Sequence, residues 1–95
     1  MSFKLHFHED SLAEWNKLDK PVREQFKKKL TERLEVPRVA NARVSGGPDL
    51  YKIKLRTVGY RLVYQIQEER VVILVLSVGK RERNAAYKAA LGRIE

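Results

Sequence analysis

The chain has 95 residues, of which 20 are Lys or Arg and 12 are Asp or Glu, so its formal net charge at pH 7 is +8. This length is typical of one domain, and we expect residues 1–95 to form it. The hydrophobic content of 43% is too high for a disordered chain. The absence of cysteine excludes disulfides, thiolate nucleophiles and cysteine-ligated metal centres.

The charge and the apolar pattern also limit where the protein acts. The first residues alternate apolar and polar side chains, which predicts no signal peptide, and no apolar run approaches the roughly 18–20 residues of a transmembrane helix. We therefore expect a cytoplasmic protein with no membrane partner. Residues 51–95 hold 10 basic and 4 acidic side chains. An anionic partner, with nucleic acid ahead of an acidic protein, is expected to bind this half.

The first third of the chain predicts a strand followed by two helices. Residues 3–7 alternate apolar and polar side chains, which is typical of a strand with one buried face. Ser11 and Glu14 have the spacing of a capping box, so Ser11 is the predicted N-cap of the first helix. Pro21 suits the first turn of a second helix, which carries an apolar residue at every fourth position and ends before Pro37. We expect the two helices to form an antiparallel hairpin over a sheet.

The middle of the chain predicts a loop and a β-hairpin. Residues 37–49 have no apolar period, whereas residues 50–56 and 60–66 alternate apolar and polar side chains. A two-residue turn at Val58-Gly59 would set Leu55 opposite Leu62 and keep all the apolar side chains on one face. A slip of one residue would mix the two faces, so this register is favoured.

The last third predicts a central strand and a short helix. Residues 71–78 are almost entirely apolar on both faces, which is typical of a strand covered on both sides. Asn84 is the predicted N-cap of a helix with a small apolar stripe at Ala86, Ala90 and Ile94. The order is β-α-α-β-β-β-α, an α+β single domain. We expect a largely antiparallel four-stranded sheet, with the helical hairpin on one face and a C-terminal helix.

Basic side chains concentrate on the polar face of the predicted β-hairpin. They are Lys52, Lys54, Arg56 and Arg61. Cross-strand neighbours lie about 4.5–5.5 Å apart at Cβ, so these cations repel one another, and an anion site explains them better than a scaffold role. Three more residues are expected at the same edge: Arg81, Arg83 and Tyr87. Cations bind phosphate and an exposed tyrosine stacks on bases or transfers protons. The residues alone thus predict an RNA or DNA binder or a metal-free nuclease, with a solvated polar face as the alternative.

Two other constellations give weaker signals. His6 and His8 share a strand face but have no third histidine or carboxylate cluster at matching spacing, so we expect no metal site and no cofactor. The run that contains Lys27 and Lys28 lies on the polar side of the second helix. It is typical either of solvated surface or of a patch that docks on an RNA backbone or an acidic protein.

Three segments carry a resemblance to a known family: Y-K-I-K-L-R at 51–56, G-Y-R-L-V-Y at 59–64, and V-G-K-R-E-R at 78–83 with Tyr87. With these segments, the whole chain resembles the RelE toxins of bacterial RelBE toxin–antitoxin pairs. The resemblance implies a RelE-like fold and a ribosome-dependent mRNA endonuclease without a cofactor. Such an enzyme cuts the codon in the ribosomal A site, where a 2′-hydroxyl attacks the adjacent phosphate and leaves a 2′,3′-cyclic phosphate and a 5′-hydroxyl.

The resemblance also implies roles for individual residues. The residues that surround the scissile phosphate would be Lys52, Lys54, Arg61, Arg81 and Tyr87. Further RNA contacts would come from Arg43, Arg56, Lys80, Arg83, Lys27 and Lys28. Repulsion among clustered cations should lower the pKa of a lysine, so Lys52 and Lys54 are candidate bases. Tyr87 is the alternative, either as the base or as a group that stacks on a base of the codon, and Arg81 would stabilise the leaving group. One departure is Ser45, where the family often has arginine before the glycine.

The implied partners are mRNA in the ribosomal A site, ribosomal RNA and an acidic, RelB-like antitoxin. The antitoxin would wrap the basic surface and displace the C-terminal helix, and operator DNA would be contacted only through the toxin–antitoxin complex. Two alternatives remain open. One is a non-enzymatic, ParE-like gyrase poison, which needs no cluster of phosphate-binding residues. The other is a plain basic RNA-binding module, which needs no Tyr87.

Overall fold

The computed structural model describes residues 2–82 and 84–94. Its helices and strands are β1 (Lys4–Phe7), α1 (Glu9–Asn16), α2 (Lys20–Glu35), β2 (Leu50–Leu55), β3 (Tyr60–Gln67), β4 (Val72–Lys80) and α3 (Ala85–Leu91). The strands form one sheet in the order β1-β4-β3-β2, in which β1 is parallel to β4 and the other neighbours are antiparallel. The predicted element order and the largely antiparallel sheet are therefore confirmed. None of the described helices is long and apolar enough to cross a membrane.

Helices α1 and α2 cover one face of the sheet, called here the hairpin face after the hairpin that these two helices form. Trp15 of α1 packs between Phe7 and Phe26, with ring centroids 5.3 and 6.2 Å apart. The predicted stripe of α2 is buried in the same cluster, together with Ile53, Leu62 and other side chains of the three longer strands. Burial of these apolar side chains is the main term that holds the helices on the sheet.

Helix α3 packs on the opposite face of the sheet, called here the basic face. Ala86 and Ala90 are buried there and Ile94 packs beside them, which confirms the predicted stripe. Strand β4 is thus covered on both sides, as expected for a nearly continuous apolar run. A bulge opens where the register with β3 shifts after Val63. Next to it, the Ser77 hydroxyl donates a 2.6 Å hydrogen bond to the carbonyl of Ala86 and so anchors α3.

The predicted register of the β2–β3 hairpin is wrong by two residues. Leu55 pairs with Tyr60 rather than with Leu62, and four residues, 56–59, form the connection. A two-residue hairpin turn needs a positive φ at its first position, which disfavours the β-branched Val58. The longer connection uses a positive φ only at Gly59, where φ is 71°. A shift of two residues keeps each side chain on its predicted face, so the basic cluster survives the correction.

The predicted capping box at the start of α1 is also wrong. The helix begins at Glu9, and His8 is the N-cap, with its Nδ1 accepting a 3.1 Å hydrogen bond from the Asp10 amide. Ser11 is fully buried inside the helix, and its hydroxyl donates to the carbonyl of Val75 at 2.6 Å. The serine therefore ties α1 to the central strand, because a sheet carbonyl lies within its reach.

The predicted N-cap of α3 needs a similar correction. Asn84 does precede the helix, but its φ is 59° and its side chain makes no capping hydrogen bond. An N-cap side chain reaches the first amides from an extended backbone, which the left-handed conformation does not provide. The amide oxygen of Asn84 instead accepts a 3.4 Å hydrogen bond from Arg61 Nη1.

An ion pair fastens the chain end after α3 to the rest of the fold. Arg93 contacts Glu14 through two hydrogen bonds, from Nη1 at 2.9 Å and from Nη2 at 3.1 Å. Arg93 Nη1 also donates to the carbonyl of Leu76, and Glu14 accepts from the amide of Val78 at 3.0 Å. The hydrogen bonds with Glu14 raise the pKa of Arg93, which therefore stays charged. Glu14 thus links α1, β4 and the segment after α3.

We expect Arg93→Met to lower the free energy of unfolding by about 1–3 kcal/mol, because it removes the charged hydrogen-bond donor of a partly buried carboxylate and of a carbonyl in β4. Urea unfolding measures the change. The control is Lys27→Met, which breaks a 3.7 Å pair with Glu24 on the exposed surface of α2. That substitution should change stability by less than about 0.5 kcal/mol. Equal losses in the two variants would contradict a special contribution from Arg93.

Candidate active site

The basic face of β2 and β3 brings together three cations that the sequence predicted. Lys52 and Lys54 lie two residues apart on β2, so both point away from the hairpin face. Arg61 on β3 is directly opposite Lys54 in the observed register. Adjacent strands therefore present these three side chains on one side of the sheet.

Helix α3 adds Tyr87 to this group. The ring centroid of Tyr87 lies 5.0 Å from Arg61 Cζ and 5.9 Å from Lys52 Nζ. Both distances are within the range of cation–π attraction, which holds the ring beside the two cations. Tyr87 is only partly buried and packs against the apolar cluster under α3. Its position is therefore set by the way α3 docks on the sheet.

Arg61 has an unusual environment at the centre of the group. Its Nε–H is buried and has no hydrogen-bond partner in residues 2–82 and 84–94. In the same residues, the one hydrogen bond of the Arg61 side chain runs from Nη1 to Asn84 and is long at 3.4 Å. A buried donor without a partner is costly, and such groups in native proteins often mark a ligand site. The guanidinium thus keeps hydrogen-bonding capacity for an anion.

A cleft of about 210 Å³ opens beside Arg61. It is lined by Lys54, Leu55, Arg56, Tyr60, Arg61 and Arg81. Arg81 reaches this cleft because its amide donates a 2.7 Å hydrogen bond to the Gly59 carbonyl, which fixes the end of β4 against the β2–β3 connection. We call this space the first cleft. Its four cations and the absence of a lining carboxylate suit a phosphate group.

The electrostatics of the first cleft favour an anion and lower the pKa of one lysine. The pKa of Lys54 is lowered, first by the charge of Lys52, then by partial desolvation, and then by Arg61, Arg56 and Arg81. In the described part of the chain, none of these five cations forms an ion pair with a carboxylate. A lysine with a lowered pKa is a better proton acceptor near neutral pH.

The remaining predicted contacts lie at different distances from this group. Arg43 lines a shallow neighbouring cleft with Val44, Ser45, Lys52, Asn84 and Tyr87, so it borders the site. Lys80 is exposed at the end of β4 and pairs with Tyr60. Lys27 and Lys28 are exposed on α2, which packs on the hairpin face, so the structure does not bring them to the cluster. Arg83 lies outside the described residues.

The two histidines, His6 and His8, lie on β1 and at the N-cap of α1. In residues 2–82 and 84–94, no group of three or more His, Asp or Glu side chains is placed to hold a metal ion. His8 uses its Nδ1 to cap α1.

Sequence reasoning missed two residues beside the cluster. Asn84 was predicted as a helix cap, but it contacts Arg61. Arg33 of α2 was not singled out, but its Nη1 donates to the carbonyl of Lys52 at 3.0 Å. In both cases the contact joins distant parts of the chain, and no local pattern indicates it.

Comparisons with known proteins agree with this fold. Residues 5–85 match the family described as the ParE toxin of the type II toxin–antitoxin system parDE. The chain is 56% identical over 94 residues to the mRNA interferase toxin RelE of Escherichia coli K12, and the aligned region covers 99% of both chains. These matches define the class: the chain is a toxin-type protein of the type II toxin–antitoxin class.

Solved structures narrow the assignment. The fold matches a mutant of E. coli toxin RelE in the free state with a TM-score of 0.92, 54% identity and coverage of 100% of both chains. It also matches the intact E. coli RelBE toxin–antitoxin complex with a TM-score of 0.83 and 57% identity, over 86% of this chain and 100% of that one. The chain belongs to the RelE toxin family.

We expect Lys52→Gln to shift the titration of Lys54 to higher pH, because it removes the largest cause of the lowered pKa. Nitrogen-detected NMR of the lysine ammonium groups in the isolated protein measures this shift. Lys17→Gln, an exposed change at the end of α1, is the control and should leave Lys54 unchanged. Identical titration of Lys54 in all three proteins would mean that repulsion within the cluster is not the cause.

Proposed function

We propose that this protein is the toxin of a type II toxin–antitoxin system and that it cuts mRNA in the ribosomal A site. The observation that carries the proposal is the cluster on the basic face. Lys54, Arg61 and Arg81 line the first cleft, which suits a phosphate, and the ring of Tyr87 lies beside Arg61 and Lys52. These five residues are the proposed site. The name of the E. coli relative, mRNA interferase toxin RelE, supports the same activity.

The proposed reaction uses the RNA's own 2′-hydroxyl as nucleophile. Neutral Lys54 removes the hydroxyl proton, the 2′-oxygen bonds to the adjacent phosphorus, and the bond from phosphorus to the 5′-oxygen breaks. The products are a 2′,3′-cyclic phosphate and a 5′-hydroxyl, whose oxygen takes up one proton from solvent. The lowered pKa of Lys54 supports this role, because it increases the neutral fraction at a given pH.

The other four residues stabilise or position the reacting groups in this proposal. Lys52 and Arg61 offset the extra negative charge on the phosphate in the transition state, where fixed cations act most strongly. Arg81 neutralises charge on the leaving 5′-oxygen, since an arginine is a poor proton donor near neutral pH. Tyr87 holds Arg61 and Lys52 against its ring and offers a stacking surface to a base of the codon. No metal cofactor takes part in this scheme.

The positive surface beyond the cluster would dock the protein on the ribosome in the cytoplasm. The residues assigned to RNA contacts are Arg43, Arg56, Lys80, Arg83, Lys27 and Lys28. The first two border the cluster and belong to the mRNA side of the site. Lys27 and Lys28 lie on α2, so their RNA contact would be to ribosomal RNA rather than to the scissile phosphate.

We infer that the regulatory partner is an acidic, RelB-like antitoxin, as the E. coli RelBE toxin–antitoxin complex suggests. A net charge of +8 supports binding of an acidic chain. The antitoxin would displace α3 and with it Tyr87. The complex would then repress its own operon, with DNA contacted by the antitoxin. The whole chain, 1–95, acts as a single domain in this proposal.

We expect Arg81→Ala to lower ribosomal cleavage roughly 100- to 1,000-fold with little effect on ribosome binding, which is the usual cost of one transition-state donor. Primer extension on translated mRNA measures cleavage, and sedimentation measures binding. The matched control is Arg70→Ala at the other end of β3, where the arginine contacts Gln67. No cleavage by the wild type would favour a gyrase poison, while undiminished cleavage by Arg81→Ala would remove this residue from the mechanism.

The pH dependence of cleavage tests the choice of base. If Lys54 is the base, the rate rises with pH below its lowered pKa and levels off above it, because only the neutral amine accepts the proton. Lys54→Arg keeps the charge but cannot deprotonate, so the rise should vanish and the rate should fall about 100- to 10,000-fold. Tyr87→Phe should keep the rise. The reverse result would assign the proton to Tyr87.

A further inference from the structure

A second basic cleft lies next to the first one. Its volume is about 220 Å³, and its lining residues are Arg33, Asn41, Ala42, Lys52, Lys54 and Arg56. It shares Lys54 and Arg56 with the first cleft, so the two spaces meet at the outer strand β2. Four of its six lining side chains are cationic and none is acidic.

Arg33 differs from the other cations of this second cleft because the fold fixes its orientation. Its Nη1 donates to the Lys52 carbonyl at 3.0 Å and to the Tyr64 hydroxyl at 2.9 Å. Tyr64 is fully buried and donates in turn to the Pro37 carbonyl at 2.7 Å. Burial raises the pKa of Tyr64, so the phenol stays neutral and keeps its hydrogen bond to Pro37. The guanidinium is therefore held in place before any ligand arrives.

A purely structural role explains only part of this arrangement. Arg33 satisfies a carbonyl on the outer edge of β2, and this requires Nη1 alone. In the described part of the chain, the guanidinium makes no hydrogen bond through its other nitrogens and no ion pair with a carboxylate. A guanidinium has five N–H donors, so donors remain free. The exposed amide of Asn41 adds another polar group that the edge contact does not use.

We propose that the second cleft binds a phosphodiester of the mRNA, the linkage next to the one in the first cleft. The two clefts share Lys54 and Arg56, and Lys52, which acts on the scissile phosphate in the proposed reaction, also lines the second cleft. A phosphate in the second cleft would therefore be the neighbour of the scissile one. Lys54 borders both clefts, and Arg33 and Asn41 border only the second. Arg33 and Asn41 thus hold the strand in register, while the reaction occurs at the first cleft. This inference rests on the proposed function.

The test uses ribosomes programmed with mRNA that carries one methylphosphonate, a neutral linkage, on either side of the scissile phosphate. With wild-type protein, one of the two positions should raise KM about 5- to 20-fold, since it removes one hydrogen-bonded charge. Arg33→Gln should raise KM similarly on unmodified mRNA and should lose nothing further at that same position. If the effects of Arg33→Gln and of the methylphosphonate on KM multiply at both positions, the two changes act independently and the assignment is wrong.

Two variants guard against a damaged fold. Asn41→Asp places a negative charge in the second cleft without touching Tyr64, and it should also raise KM with little change in kcat. Asn16→Asp adds the same charge to the end of α1, which contacts β1 and β4, and should behave as wild type. Equal effects of the two aspartates would overturn the site, because the response would then follow net charge alone.

A final arm separates mRNA from ribosomal RNA and this inference from the proposed function. If Arg33→Gln weakens binding to ribosomes without mRNA as much as to programmed ones, the phosphate belongs to ribosomal RNA and the mRNA assignment is wrong.

If wild-type protein cuts nothing, the proposed function fails. The second cleft is then judged by anisotropy with an uncleavable 2′-deoxy oligonucleotide, where Arg33→Gln should reduce the salt slope by about 0.7 if the cleft binds phosphate. An unchanged slope would overturn it.

Discussion

Repulsion among like charges on the outer half of the sheet is the constraint on which the rest of the site depends. Lys54 faces Arg61 directly across the β2–β3 pair, and Lys52 follows on the same side. Such neighbours destabilise a sheet, so the fold must supply stability elsewhere. It does so on the hairpin face, where Tyr51, Ile53 and Leu62 are buried under α2. The hairpin face thus buries the larger apolar cluster, whereas the outer half of the opposite face carries the clustered cations.

Much of the fold could be predicted because a register error of two residues leaves every side chain on its own face of the sheet. The hairpin register was wrong by two residues, yet each side chain of β2 and β3 kept its predicted face. Details that depend on one backbone angle were less predictable. Asn84 sits where a cap belongs, but its left-handed conformation turns the side chain toward Arg61 instead. Ser11 and Glu14 have the spacing of a cap, but carbonyl and amide groups of β4 compete for them.

The candidate site was predictable to the extent that its residues come from strand alternation. Lys52, Lys54 and Arg61 follow from the hairpin pattern alone. The prediction of Tyr87 depended on where the last helix packs. The small apolar stripe of that helix is only a weak indication of its packing position. Arg33 could not be found this way, because on α2 it is one more charge on a polar helix surface. Its contact with Tyr64 joins residues 31 positions apart, and only the packed structure brings them together.

Helix α3 is held on the sheet by small apolar side chains. Its buried apolar side chains are two alanines, Ala86 and Ala90, which bury little surface compared with the cluster under α1 and α2. Polar anchors therefore contribute much of its attachment, from Ser77 at one end and Arg93 at the other. Removing α3 would withdraw Tyr87 from Arg61 and leave the main core on the hairpin face intact. Loss of α3 would therefore change the site without unfolding the rest of the protein, which is what the proposed displacement by an antitoxin requires.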